Sequence, residues 1–266
     1  MKHPHHLLLS GVCLGLLSVL TTGCNQTTQT TSGRQYLDRY DHATGTGRMG
    51  NIDEEIRAVA AVEPILEFPA RIGLARIENG RLSQVPEIEA TRWIELAGDL
   101  GPGYGEFIPL SPLITEMVAG PAHHNARSAN PSAATDIVNR IRLGAARQHL
   151  DAVLIYEVYA STSNRSLPSS ILNWTLIGAY IVPSEKAEIE GFAQALLVDV
   201  RNGYPYGAAQ ASVSRTQVST LVSSWDRRRI GAEETKMASA VQLAPEVGTM
   251  IRQLRMELAE SRLNQL

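Results

Sequence analysis

Apolar residues follow two spacings beyond residue 52. Some recur every three to four positions, as on one face of a helix, and others form short runs typical of buried strands. The helical spacing predicts helices over residues 53–62, 86–97, 135–149 and 232–262. The apolar runs predict strands over residues 70–77, 106–110, 151–160, 174–182, 192–200 and 204–214. This order predicts an α/β fold with a single mixed sheet, a β-α-β-α-β start, an antiparallel meander and flanking helices.

Three details of this pattern bear on the architecture. The run at residues 151–160 is almost continuously apolar, which predicts a strand buried on both faces. Asn202-Gly203 separates the last two strands and predicts a tight hairpin turn. Right-handed crossovers lead us to expect the two middle helices on one face of the sheet and the terminal helices on the other. Pro245 either kinks the final helix or begins a new one.

The N-terminus has the pattern of a secretory signal peptide. Lys2 precedes a run of 14 residues, 7–20, without a charge, and this run is shorter than the roughly 20 residues needed to span a bilayer. It ends in Leu20-Thr21-Thr22-Gly23-Cys24, which resembles the lipobox of bacterial lipoproteins. That resemblance implies removal of residues 1–23 and acylation of Cys24. An ordinary signal peptide that leaves Cys24 as a free thiol is the alternative.

The lipobox resemblance also implies a location. Asn25 follows the cysteine where an aspartate would retain a lipoprotein at the inner membrane, so we expect the periplasmic face of the outer membrane. Residues 24–51 are rich in Thr, Gln and Gly and predict a flexible tether, which leaves residues 52–266 as the periplasmic domain. The G-x-G-x-x-G pattern at residues 45–50 follows no predicted strand, and we therefore assign it no nucleotide.

Composition and motifs narrow the classes of function. A net charge of −3 gives no basic excess of the kind that marks nucleic-acid binding. The two cysteines are Cys13, inside the signal peptide, and Cys24. The sequence has no serine-hydrolase elbow, zinc-protease motif or phosphate-binding loop. The adjacent His123 and His124 stand alone in a polar segment and fit a solvated loop better than a metal site. We therefore predict no cofactor, no metal and no catalytic residues.

Glu157 is the most unusual residue of the predicted strands. It interrupts the apolar run on the same side as Val153, Ile155 and Tyr159. Such a carboxyl either pairs with an arginine, or lies where the sheet becomes exposed, or is a buried acid with a raised pKa in a site.

Two further groups are candidate contacts for a partner. Tyr204 and Tyr206 share one face of the last strand, where they either pack against a helix or offer an aromatic surface. Arg227, Arg228 and Arg229 precede the final helix and are either solvated or contact acidic lipid or a carboxylate-rich partner.

The residues at 151–155, after a helix, and at 195–203, which lead into a hairpin, carry a second resemblance. They resemble the envelope-protein fold shared by the curli-secretion lipoprotein CsgG, the penicillin-binding-protein activator LpoB and the N-terminal domain of TolB. This implies a partner-binding protein in envelope assembly, secretion or cell-wall processes. A lipid-anchored hydrolase using carboxylates such as Glu157, and a self-assembling subunit that pairs through strand edges, are the alternatives. Residues 174–182 are apolar on both faces, which argues against a pore.

Overall fold

The computed structural model of the protein describes residues 25–44, 51–119, 131–161, 189–215 and 224–263. Its strands are β1 (Asn25–Thr28), β2 (Ala70–Glu78), β3 (Arg81–Ser83), β4 (Gly105–Pro109), β5 (Ala152–Ser161), β6 (Ile189–Asp199) and β7 (Pro205–Arg215). Its helices are α1 (Gly33–Thr44), α2 (Asn51–Ala60), α3 (Glu87–Leu100), α4 (Pro112–Ala119), α5 (Pro131–Arg147) and α6 (Ser224–Leu263).

The strands form one mixed sheet in the order β1-β7-β6-β5-β2-β3, and β4 also pairs with β2. β2 is parallel to β4 and to β5, whereas β5, β6, β7 and β1 are joined by antiparallel pairing. The predicted fold class, a single mixed sheet flanked by helices, is therefore confirmed.

The helices divide differently between the two faces than we expected. Trp93 and Leu96 of α3 share one apolar core with Leu243 and Ile251 of α6, whereas Ile141 of α5 belongs to the core on the opposite face. The two middle helices thus do not share a face. The reason is topological. The connection from β2 through α3 to β4 runs toward one edge of the sheet, and the connection from β4 through α4 and α5 to β5 runs back past β2. Right-handed crossovers in opposite directions place their helices on opposite faces.

The central strand and the hairpin follow the sequence closely. The residues from Ala152 to Tyr156 are fully buried, as predicted for a strand covered on both sides. At the end of β6, the Gly203 amide donates to the carbonyl of Asp199 over 3.1 Å. Gly203 has a φ of 79°, a conformation that glycine adopts without strain. The turn predicted at Asn202-Gly203 is therefore confirmed.

The prediction of a flexible tether is wrong for the residues that the structure describes there. Asn25–Thr28 is an edge strand paired with β7, and Gly33–Thr44 is a helix. The backbone of β1 completes the ladder of a strand about 180 positions later in the sequence. Polar Thr and Gln side chains suit such an edge because they do not need to enter the core. Composition alone therefore concealed a structured segment.

Several smaller elements also differ from the sequence prediction. The short strand β3 and the helix α4 carried no signal that we recognised. α6 continues through Pro245 as one helix. The predicted strand at residues 174–182 and most of the polar segments at 120–131 and 161–173 lie outside the described residues. Within the described parts of the chain, no helix is long and apolar enough to cross a membrane.

The approach of α6 to β6 gives a testable pair of variants. A β-carbon added at Gly191 would meet the carbonyl oxygen of Thr235 on α6, whereas one added at the exposed Gly98 of α3 would meet nothing. We expect Gly191→Ala to lower the free energy of unfolding by about 2 kcal/mol because helix and sheet must separate. Gly98→Ala should raise it by about 0.5–1 kcal/mol. Urea unfolding measures both, and an unchanged stability of the Gly191 variant would contradict the packing.

Candidate functional site

A groove lies between α1, α2 and the turn that joins β6 to β7. Its volume of about 930 Å³ falls in the range of ligand and peptide pockets. The lining is mostly apolar and consists of Gln29, Thr31, Gly33, Tyr36, Arg39, Ile52, Glu55, Ile56, Val59, Ala60, Val62, Gly203, Tyr204 and Pro205.

Three large side chains of this lining are open to solvent. The exposed fractions are 43% for Tyr36, 62% for Ile52 and 78% for Val59. Ile52, Ile56 and Val59 are spaced by four and three residues, so they form one stripe along α2. Exposed apolar groups concentrated in a single concave surface are a usual mark of an interaction site.

The two helices that form the walls hold each other through polar and aromatic contacts. The Tyr40 hydroxyl of α1 donates to Asp53 Oδ1 of α2 over 2.8 Å, and this hydrogen bond raises the pKa of Tyr40. The Arg57 guanidinium lies 5.4 Å from the Tyr40 ring centre. Tyr36 stacks on Tyr40 with 6.3 Å between the ring centres. These contacts use Asp53 and Arg57 of α2, and the apolar stripe of α2 lines the groove.

Glu63 ties the start of α1 to the chain that follows α2. Its Oε1 accepts hydrogen bonds from the Arg34 amide at 2.9 Å and from the Ser32 hydroxyl at 3.2 Å. The Asn202 side-chain amide, in the turn after β6, donates to the Glu63 carbonyl over 2.7 Å. The turn and the walls of the groove are therefore one connected unit.

Beneath the groove, Tyr206 joins the hairpin to the residues before β2. Its hydroxyl donates to Asp199 Oδ2 over 2.8 Å and accepts from the Ile65 and Leu66 amides at 3.0 and 2.7 Å. Burial, reinforced by Asp199, raises the pKa of Tyr206. Asp199 Oδ1 also accepts from the Arg201 amide at 2.8 Å. This cluster fixes the turn that contributes Gly203, Tyr204 and Pro205 to the lining of the groove.

The hypothesis that Tyr204 and Tyr206 form an exposed aromatic surface is corrected by their positions. Tyr204 is 3% exposed, and Tyr206 has no exposed surface. Their rings lie 5.0 Å apart, and the Tyr204 hydroxyl donates to the Thr31 carbonyl over 2.8 Å. Both rings face the core that α6 covers, as the alternative interpretation proposed. Tyr204 contributes to the lining of the groove, whereas Tyr206 is buried in the core behind it.

A second buried polar cluster lies between α3 and the sheet. Arg76 Nε donates to both carboxylate oxygens of Glu89, at 3.2 and 3.1 Å, and the Tyr156 hydroxyl donates to Glu89 Oε2 over 2.7 Å. Arg76 Nη1 donates to Glu78 Oε2 over 2.9 Å. Burial and Glu89 raise the pKa of Tyr156. Because these groups satisfy one another inside the core, we assign the cluster a structural role.

Glu157 lies half-buried on the opposite face, paired across the ladder with Gln194 of β6. Burial raises the pKa of the Glu157 carboxyl, and the neighbouring Gln194 side chain offsets part of that rise. Burial and the charge of Glu157 raise the pKa of Tyr159 to about 12, and its ring stacks on Phe192 with 5.4 Å between centres. The raised pKa agrees with the predicted buried acid, but the neighbours are an amide and two aromatic rings.

This environment predicts the pH dependence of a Glu157→Gln variant. Because the pKa of Glu157 is raised in the folded protein, its contribution to stability is complete below the unfolded pKa and is lost as the pH rises through the folded pKa. We therefore expect Glu157→Gln to raise the free energy of unfolding at pH 7 by less than about 1 kcal/mol. The gain should shrink toward pH 4 in urea unfolding. A gain that grew toward pH 4 would contradict the assignment.

The remaining candidates lie where the structure gives no side-chain placement. Cys24, the residues 45–50, and His123 and His124 are outside the described residues. Arg227, Arg228 and Arg229 lie in α6, but only their backbone is described. Within the described residues, no group of three or more His, Cys, Asp or Glu side chains could hold a metal ion.

Comparison with known proteins yields only distant similarities. No protein-family model and no curated protein matches the chain. Among solved structures, it is similar to the PelC dodecamer from Paraburkholderia phytofirmans, with 10% identity over 86% of this chain and 96% of that one and a TM-score of 0.32. It is also similar to the hypothetical protein CT253 from Chlamydia trachomatis, with 13% identity over 72% of this chain and 94% of that one and a TM-score of 0.25. At these TM-scores we draw no conclusion from either.

The groove was missed because its walls lie in and next to the segment interpreted as a tether. The helix predicted over residues 53–62 is present as α2, and the spacing of Ile52, Ile56 and Val59 also indicated its apolar face. Tyr36 and Tyr40, four residues apart after Ser32, were the signal for α1. What the sequence could not show is that these two stripes face a turn near residue 203.

Proposed function

We propose that the protein is an outer-membrane lipoprotein, anchored through Cys24, whose periplasmic domain binds a protein partner through the groove between α1 and α2. Its role would be accessory to envelope assembly, secretion or cell-wall processes. The observation that supports this proposal most directly is the open, largely apolar groove with Ile52 and Val59 exposed in its lining. A side chain of this kind gains about 1.5–3 kcal/mol when a partner buries it fully.

The structure gives this surface a rigid frame. Glu63 and Asn202 join the groove walls to the hairpin, and Tyr206 joins the hairpin to the chain before β2. A preformed surface binds with less loss of conformational entropy than a flexible one. No described cluster offers the two or three converging catalytic groups that a hydrolase requires, so we favour binding over catalysis.

The anchor is tested by Cys24→Ser. Without the sulfur that carries the lipid, the variant should move from the membrane pellet to the soluble periplasmic fraction. Unchanged fractionation would overturn the proposed anchor. Expression in a protease-deficient strain distinguishes a change of location from degradation of the variant.

Docking at the groove is tested by placing a photo-reactive amino acid at Val59 in the full chain in its native envelope. We expect one dominant crosslinked product. The matched control is Leu113 on α4, which is 82% exposed and lies outside the groove. Equal products, or none, from the two positions would overturn the proposed docking site.

A further inference from the structure

The chain that leads from the proposed lipid anchor to the groove is attached to the sheet. Residues 25–28 form β1, which pairs with β7. The Gln29 amide then donates to the Tyr206 carbonyl over 2.8 Å, and the Thr31 carbonyl accepts from the Tyr204 hydroxyl over 2.8 Å. Gln29 and Thr31 line the groove. β1 therefore leads directly into the wall of the groove.

This attachment limits the distance between the anchor and the groove. Gln29 follows Cys24 by five residues, so the two backbones are at most about 17 Å apart at 3.3–3.4 Å per residue. α1 and α2 contact each other through Tyr40 and Asp53, and the axes of packed helices lie about 8–10 Å apart. The near wall is thus within about 17 Å of Cys24 and the α2 wall about one helix spacing beyond it.

A coil over the same residues would place the groove much farther from the membrane. Residues 24–51, if they formed the tether that their composition predicts, would extend to about 90 Å. Such a reach would bring the domain to partners deep in the periplasm. The pairing of β1 removes that reach, so a partner held elsewhere would have to cover the distance with its own chain.

We propose that the partner bound in the groove is itself a protein held in the outer membrane, and that it presents an apolar segment to the exposed side chains of Tyr36, Ile52 and Val59. The inference rests on the proposed function for the anchor and for the groove, and it adds the class of partner. Two proteins confined to one membrane surface meet at a raised effective concentration. A contact made by one apolar segment then needs less intrinsic affinity.

The test separates the domain from its own anchor after crosslinking. A short protease site that begins with asparagine is inserted between Cys24 and Asn25, and the photo-reactive amino acid is placed at Val59. After crosslinking in the envelope, a muramidase removes the cell wall, and isolated outer membranes are cleaved at the inserted site. The uncrosslinked domain should be released, whereas the crosslinked product should remain in the membrane pellet, enriched there several-fold over the uncrosslinked domain.

The matched position is Leu113 on α4, which is 82% exposed and lies outside the groove. It should give no product that remains in the pellet. Equal retention from Leu113 and Val59 would indicate contact with the surrounding membrane and would contradict the inference. Release of the Val59 product together with the uncrosslinked domain would overturn the inference and leave the docking site intact. If Val59 gives no product before cleavage, the proposed docking site fails, and the inference fails with it.

Discussion

Replacing Glu89 with leucine should lower the free energy of unfolding by about 3–5 kcal/mol. The substitution removes the carboxylate that accepts from Arg76 Nε and from the Tyr156 hydroxyl. The Arg76 side chain is 8% exposed, so its charge would stay largely buried with Glu78 as its remaining acidic partner. Removing one partner of a buried ion pair is among the largest destabilising effects a single substitution produces, and Glu78, whose side chain is 42% exposed, compensates the Arg76 charge only in part. Urea unfolding followed by circular dichroism measures the loss.

The double variant Arg76→Met with Glu89→Leu separates this cause from simple loss of packing. With both charges replaced by apolar groups, most of the stability should return, and the hydroxyl of Tyr156 without its acceptor accounts for a residual loss of about 1 kcal/mol. A double variant as unstable as Glu89→Leu alone would show that the stranded charge is not the cause.

Tyr206→Phe should lower the free energy of unfolding by about 3 kcal/mol, although it removes a single oxygen atom. The hydroxyl donates to Asp199 and accepts from the amides of Ile65 and Leu66. Asp199 keeps Arg201 as a donor to both carboxylate oxygens, so the groups that lose their partner are the amides of Ile65 and Leu66. Leu66 has no exposed surface, and buried groups left without a partner each lose about 1–3 kcal/mol.

Tyr204→Phe is the matched control for this variant. Its hydroxyl donates one hydrogen bond, to the Thr31 carbonyl, so we expect a loss of about 1 kcal/mol. Equal losses of stability in the two variants would contradict the arrangement.

What the sequence predicted well is what local chemistry determines. The continuous apolar run of β5 and the Asn202-Gly203 turn needed no knowledge of distant residues. β1 was missed because pairing with β7 sets its conformation, and that pairing leaves no trace in four polar residues. A partner far away in sequence decided its conformation.

The polar clusters show the same limit. Glu157 drew attention because it interrupts an apolar run, yet Arg76 interrupts β2 in the same way and belongs to the more elaborate cluster. Register places Arg76 beside Tyr156 on the face that α3 covers, and Glu89 comes from that helix. Without knowing that α3 and α6 share a face, these three residues could not be associated.

The pairing of Asn25 with Gln210 has a consequence for how the domain meets a bilayer. Consecutive Cα atoms lie 3.8 Å apart, so if Cys24 carries the lipid as proposed, the sheet edge is held against the headgroups without slack. The domain then stays close to the bilayer surface, so encounters between neighbouring copies become a two-dimensional search.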